Sequence, residues 1–288
     1  MPISNAPDKN RALDNAPDKA GALDSVRAVG RSIAVLQVIN REGSASMAEI
    51  ARAVALPYAT AYRLVQTLAQ QGMIELEPGR KRYRPTELVH TLSCGARGPT
   101  HLVSVARPHL LAAQQAWSWP VSLVTRVGQW MMVCDSTHAL TSLTFNNVYP
   151  GYTLPITSSA SGLAYLAYCP DGEREAVLAG LRDFAAPGIV PLELPRLRAQ
   201  IEQCRRQGYA TLERNPCTQS PGKTSSIAAP ILTSDGGLYG TLTLIFFSSA
   251  LDLRTATERY AEPLRERAAQ IAWEMNRVPG MPASVAAA

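Results

Sequence analysis

The chain has 288 residues, enough for two domains of ordinary size, and 46% of them are hydrophobic, ample for buried cores. No run approaches the ~20 consecutive apolar residues of a membrane span, and no basic start with an apolar core and cleavage site marks a signal peptide. The expectation is a soluble cytoplasmic protein. Formal charge is +5, densest in residues 25–93, where nine basic side chains face five acidic ones. A local excess of that kind suits a polyanionic partner. Five scattered cysteines without a CxxC pair suggest neither a disulfide framework nor a zinc site, so no metal or other cofactor is expected.

Residues 1–24 hold a tandem repeat, NAPDKNRALD followed by NAPDKAGALD, rich in Pro, Asp and Asn. This composition predicts a disordered extension. Residues 25–86 then carry an ordered set of local signals. Ser25 can cap a helix whose apolar positions Val29, Ile33, Leu36 and Ile39 recur at helical spacing, ending near Glu42-Gly43. Ser46 and Glu49 form an S-x-x-E capping box opening a second helix with Met47, Ile50, Ala51 and Val54 inward.

A third helix follows Leu56-Pro57. Ala61, Leu64, Val65 and Leu68 make its apolar stripe, while Ala59, Arg63 and Gln66 point away from it. Beyond Gly72, Ile74 and Leu76 alternate with carboxylates as in a half-buried strand. Pro78-Gly79-Arg80-Lys81 turns the chain, and Arg82–Pro85 returns as the partner strand. Three helices and a basic-tipped hairpin constitute a winged helix-turn-helix. In that arrangement the third helix enters the major groove of a double-stranded operator and presents Tyr58, Ala59, Thr60, Tyr62, Arg63 and Gln66. Arg80, Lys81, Arg82 and Arg84 of the wing meet phosphates or the minor groove. Arg63 suits a bidentate contact to guanine, or else meets phosphate alone.

Residues 87–99 read as a linker helix and 100–277 as an α+β domain, with a flexible tail at 278–288. The α+β domain begins with a helix from Thr100 to Trp117 and a hairpin of Val121–Val127 with Met131–Asp135 around Gly128-Gln129-Trp130. A polar loop spans Asn146 to Pro155, and helices follow near Ala160–Tyr168, Glu173–Leu181 and Leu194–Gln207. Strands at Tyr209–Glu213, Ile227–Leu232 and Leu238–Phe247 precede a final helix from about Thr255 to Asn276. The stretch Thr157–Gly162 places small residues at a loop-to-helix junction. Free N–H groups and the positive end of a helix there can hold a carboxylate, with ordinary N-capping by Ser158 or Ser159 as the structural alternative. Gly222-Lys223-Thr224 imitates the end of a phosphate-cradling loop, but Cys217 stands where that loop needs its first glycine. The dispersed His90, His101, His109 and His138 suggest packing or surface groups. Trp117, Trp119, Trp130, Phe145, Tyr149 and Tyr152 are candidates for stacking or core packing, and Arg126 for pairing with a ligand carboxylate or for solvation.

SVRAVGRSIAVLQVI and SMAEIARAVALPYATAYRLVQTLAQQGMIE resemble the DNA-binding half of the IclR family of bacterial transcriptional regulators. LPITSSASGLAYLAY is similar to that family's effector segment, and GYATLERN with SSIAAPILTSDGGLYGTLTLIF to its closing strands. The resemblance spans roughly residues 25–275 and implies a GAF-like α+β effector-binding domain. SWPVSLVT and SGLAYLAYCP look closest to the branch that controls aromatic-acid catabolism. What it implies is a ligand-responsive regulator of a catabolic operon, working as a homodimer or homotetramer on operator DNA and not as an enzyme. It places a small, aromatic carboxylate effector against Ser159, Ala160, Ser161 and Gly162, with Ser226 lining the pocket. Leu212 or Glu213 takes an acidic pocket position, and Leu212 there favours an apolar ring. The competing expectations are an enzyme acting on a small aromatic acid with an accessory DNA-binding domain, and an interaction module with a vestigial wing.

Overall fold

A computed structural model describes residues 26–92, 100–144, 148–182, 194–218 and 221–277. The N-terminal repeat, Ser25, the linker residues 93–99, Phe145, Asn146 and the C-terminal tail lie outside the described residues. The chain forms two compact units, Met1–Gly98 and Pro99–Ala288.

The first unit is built from α1 (Arg27–Glu42), β1 (Ala45–Ser46), α2 (Met47–Ala53), α3 (Tyr58–Gln70), β2 (Ile74–Leu76) and β3 (Arg82–Pro85). Each element starts or stops for a local reason. The backbone at Gly43 takes φ +70°, a left-handed value that ends α1 without a Cβ penalty. The capping box forms as the spacing predicts: the Glu49 N–H donates to Ser46 Oγ, and the Ser46 N–H donates to Glu49 Oε2 at 2.8 Å. Val35, Ile39, Ala45, Ile50, Val65, Ile74 and Tyr83 close the core.

Three expectations are corrected here. The helix α1 is preceded by Val26, which caps it without a side-chain hydrogen bond. Val29 and Ile33 are 56% and 51% exposed, and the buried positions are Val35, Val38 and Ile39. The reason is length: α1 has 16 residues and α2 only seven, so the first turns of α1 run past the core. Leu76, expected inward, is 55% exposed because it lies beyond Ile74 toward the wing tip. The two-residue strand β1, which pairs with β3 to give the sheet order β1-β3-β2, was not expected. The segment from Glu87 forms a 3₁₀ helix to Leu92.

In the second unit a six-stranded antiparallel sheet runs in the order β6-β5-β4-β9-β8-β7. Its strands are β4 (Val121–Val127), β5 (Trp130–Ser136), β6 (Thr153–Pro155), β7 (Ala210–Leu212), β8 (Thr224–Leu232) and β9 (Leu238–Phe247). The β4-β5 turn needs only two residues, Gly128 at φ +59° and Gln129, so Trp130 belongs to the strand. The short edge strand β6 arises by pairing Trp130, Met131 and Met132 with 155, 154 and 153, inside the stretch expected as loop.

Helices cover both faces. On one, α4 (Thr100–Trp117) and α8 (Leu253–Asn276) pack over Leu123, Ile227, Ala229, Ile231, Leu242, Leu244 and Phe246. On the other, α5 (Ala160–Tyr168), α6 (Asp171–Arg182) and α7 (Leu194–Gln207) cover Val124, Met131, Val133, Ala210 and Ala228. Trp117 tilts against Tyr260 and Trp119 meets Phe246 and Phe247 edge-on, so both tryptophans belong to the first core. No helix among the described residues is long and apolar enough to cross a membrane.

Candidate functional sites in the two units

The first unit presents one side of α3 to solvent. Ala61 and Val65 are fully buried, whereas Tyr58 is 58% exposed, Tyr62 46% exposed, and Ala59 and Arg63 are also exposed. Thr60 is half-buried at the flank. The α2-α3 turn passes through Ala55 at φ +51°, a conformation usually left to glycine, before Leu56 and Pro57 lead into α3. Gln66 is half-buried, and its Nε2 donates to the Tyr83 hydroxyl at 3.2 Å, so it links α3 to the wing sheet.

At the wing tip Arg80 and Lys81 are exposed, Arg80 at 3.8 Å from Glu77. Arg82, expected at the phosphates, is turned back into the unit. Its Nη1 lies 2.9 Å from Glu49 Oε2, its Nε donates to Ser44 Oγ at 3.0 Å, and its Nη2 donates to the Ser44 carbonyl at 2.8 Å. The Ser46 N–H, and then Arg82, hold the Glu49 carboxyl below its ordinary pKa. Arg84 pairs across the sheet with Glu75 at 2.6 Å.

In the second unit every residue from Ala160 to Ala167 is buried. Ser159 is the N-cap of α5: its Oγ accepts the Gly162 N–H at 3.1 Å and donates to the Pro155 carbonyl at 3.1 Å, and Ser161 Oγ donates to it at 3.2 Å. The capping role anticipated for this stretch is therefore filled by Ser159. Gly162 has a packing reason to be glycine, since a Cβ there would run into the Ile156 backbone.

Leu212 and Ser226 pair directly across β7 and β8, so both side chains face the same side of the sheet. That side is the one carrying Ala228 and covered by α5, and Leu212 packs on it while Glu213 is exposed. The anticipated residues Ser159 to Gly162, Leu212 and Ser226 thus fall in one layer.

Three hydroxyls of this layer escaped the sequence reading. Thr243 pairs with Ala228, Thr241 with Pro230, and Thr224 lies two residues before Ser226, all facing the α5 side. All three are buried, and Thr224 Oγ1 and Thr243 Oγ1 have no hydrogen-bond partner among the described residues. The alternation Thr241-Leu242-Thr243-Leu244 is the signal that could have found them.

Arg126 reaches the same layer from β4 and is neither solvated nor free. Its Nη2 is 2.8 Å from Glu173 on α6, and its Nε donates to the Tyr165 hydroxyl on α5 at 3.2 Å. Tyr165 in turn donates to Glu173 at 2.6 Å, and burial, reinforced by that carboxylate, pushes its pKa up to about 12. His138 is buried beside Ser136, its Nδ1 2.5 Å from the Ser136 Oγ, and desolvation lowers its pKa to about 4. Gly222-Lys223-Thr224 opens strand β8 rather than a helix, so it lacks the helix N-terminus a phosphate loop requires.

The IclR helix-turn-helix domain profile matches residues 28–78, and the profile described as bacterial transcriptional regulator IclR C-terminal matches residues 95–273. The HTH-type transcriptional regulator TsaQ1/TsaQ2 of Comamonas testosteroni is 24% identical over 192 residues, 66% of this chain and 68% of that one. The DNA-binding transcriptional repressor YiaJ of Escherichia coli strain K12 is 23% identical over 85% of this chain and 86% of its own. Among solved structures, an IclR homolog from Microbacterium hydrocarbonoxydans complexed with 4-hydroxybenzoate is 25% identical with a TM-score of 0.63, covering 87% of this chain and 100% of that one. The relatives and both profiles are transcriptional regulators, not enzymes. With a winged helix-turn-helix in one unit, the α+β effector fold in the other and profiles matched to both, the chain belongs to the IclR family of DNA-binding transcriptional regulators.

Proposed function

We propose that this regulator controls a catabolic operon in response to a small aromatic carboxylate, taken up between α5 and the sheet. The observation that carries the reading is the placement of Leu212 on the α5 side, opposite Ser226, with Glu213 exposed. An apolar side chain at that point suits a ring, whereas small oxoacids call for polar groups. The buried hydroxyls of Thr224, Ser226 and Thr243 offer hydrogen bonds to a polar substituent. The complex of the Microbacterium hydrocarbonoxydans homolog with 4-hydroxybenzoate supports the same ligand class. The N-terminus of α5 at Ser159 to Gly162 supplies the positive end of a helix for the carboxylate.

On the DNA side, Tyr58, Ala59, Thr60, Tyr62 and Arg63 of α3 read the major groove, and Arg80 and Lys81 meet the backbone. Residues 25–86 act as the DNA-binding domain, 87–99 as the linker and 100–277 as the effector domain. A homodimer or homotetramer reads two half-sites, which squares the selectivity of one helix. The effector acts by binding one arrangement of the assembly better than another.

Melting of the full chain in the presence of 4-hydroxybenzoate, hydroxyphenylpropionates and, for contrast, pyruvate and glyoxylate tests the proposal. A ligand at 100 times its Kd stabilises the folded form by about 2.7 kcal/mol. For a domain of this size that raises Tm by roughly 5–10 °C. A response to the aliphatic oxoacids without one to the aromatic acids would refute the ligand class.

A further inference from the structure

The wing is basic, but its cations are unequally free. Arg84 is consumed by Glu75 across the sheet, and Arg82 spends all three guanidinium nitrogens inside the unit, on Glu49 and Ser44. The carboxylate that receives Arg82 is the one that closes the capping box at the start of α2, so Oε2 of Glu49 serves the Ser46 N–H and the Arg82 guanidinium together. The neighbouring residue, Tyr83, has its ring in the core and its hydroxyl on Gln66 of α3. Successive residues of a strand face opposite sides. Strand β3 is therefore held from both sides, by Arg82 to the N-terminus of α2 and by Tyr83 to α3.

Resting on the reading of this unit as the DNA reader, we propose that Arg82 is a positioning residue. Together with Glu49 it sets the wing's angle to α3, so that Arg80 and Lys81 reach the phosphates while Arg82 itself does not. A cation already bonded through three nitrogens gains little by exchanging those partners for a phosphate, and doing so would strip the capping box of its second charge.

Salt dependence separates the two roles. Each phosphate contact contributes about 0.9 to the slope of log K against log salt, and a residue that acts only through Arg80 and Lys81 contributes nothing once those two are removed. The probe is a 30-bp duplex that the unsubstituted full chain selects from a randomised pool, with affinities measured from 50 to 200 mM salt. Arg82→Ala is expected to weaken binding about fivefold, the scale of an exposed ion pair, whereas added to a chain already carrying Arg80→Ala and Lys81→Ala it should leave the slope unchanged. Glu49→Gln keeps an acceptor for the Ser46 N–H but loses the charge, and should weaken binding about twofold. The double variant should be no weaker than Arg82→Ala alone, whereas Lys81→Ala should reduce the slope by about 0.9.

A further fall of about 0.9 in the slope when Arg82→Ala is added to Arg80→Ala and Lys81→Ala overturns the proposal, because it marks a phosphate contact made by Arg82 itself. So does unchanged or tighter binding by Glu49→Gln, the result expected when a phosphate-binding arginine is released from its carboxylate. Should Arg82→Ala fail to fold by circular dichroism, the Glu49→Gln result decides alone. A flat salt dependence in the unsubstituted chain would instead overturn the DNA reading of the unit.

Discussion

Among the described glycines, Gly162 is the one where an added methyl group would meet the closest neighbour, and that neighbour is backbone. A Cβ at 162 would stand 2.5 Å from the Ile156 carbonyl carbon and 2.8 Å from its Cα, with the carbonyl oxygen nearer still. Carbon atoms pack at about 3.5–4.0 Å, so α5 and the turn bearing Ile156 must separate by roughly 1 Å. Neither side has room to give. Ile156 is fully buried, the helix is buried from Ala160 to Ala167, and strand β6 just before Ile156 is paired to β5. Separation also pulls Ser159 Oγ away from the Gly162 N–H and the Pro155 carbonyl.

Overpacking alone costs about 1–3 kcal/mol, and the strained cap adds about 1 kcal/mol. The expected loss is therefore about 2–4 kcal/mol, a fall of roughly 4–16 °C in the melting of the second unit. Calorimetry of the full chain measures it, with Gly172→Ala as the control. Gly172 sits exposed in the first turn of α6 with nothing within 4 Å of a Cβ, so alanine there should be neutral or stabilising by up to about 1 kcal/mol. A Gly162→Ala protein melting within about 2 °C of the unsubstituted chain would mean that the α5 junction is not packed as described.

Arg63→Ala should cut affinity for the selected operator by roughly 10- to 100-fold, the worth of one good base contact, while leaving weak salt-sensitive binding and the melting curve intact. Retention of the specific band in a gel shift would remove Arg63 from base reading. For His138, burial holds the folded pKa at about 4, below the ordinary imidazole value of 6.5, so between those values the unfolded chain binds more protons and stability rises with pH. The second unit should lose about 3 kcal/mol as pH falls from 6.5 to 4. His138→Gln should flatten that part of the urea-midpoint profile, and a profile unchanged by the substitution would show the imidazole to be solvated.

What could be read from the sequence was whatever is decided within a few residues. The Ser46/Glu49 capping box, the stripe of Ala61 and Val65, and the limits of the helix beginning at Ala160 all depend on neighbours along the chain. Strands β1 and β6, of two and three residues, exist because partners in β3 and β5 hold them, and nothing local announces them. The same holds for side chains. Arg82 reads as a free cation until the fold brings Glu49 from 33 positions away, and Val29 reads as core until the shortness of α2 leaves it uncovered. Periodicity located the strand of Thr241 and Thr243 but not the importance of its second face, because two threonines among leucines look like ordinary strand formers.

The two faces of the sheet differ in a way that packing alone does not require. Toward α4 and α8 the inward positions of β8 and β9 include Ile227, Ala229, Ile231, Leu242, Leu244 and Phe246, and the buried Ser225 among them has its Oγ bonded to the Arg214 N–H and the Ser248 hydroxyl. Toward α5 the same strands offer Thr224, Ser226, Thr241 and Thr243, while β4 sends Arg126 to Tyr165 and Glu173. A buried hydroxyl without a partner costs about 1–3 kcal/mol, and Thr224 and Thr243 each carry that cost among the described residues. Valine would fill either position at nearly the same volume without it. A fold selected for stability alone would have no use for threonine there, whereas one that must recognise a polar group from that side would. A ligand that hydrogen-bonds these hydroxyls would recover that cost on binding, and it would shift the protein between two states only as far as one of them lets it make those bonds better than the other.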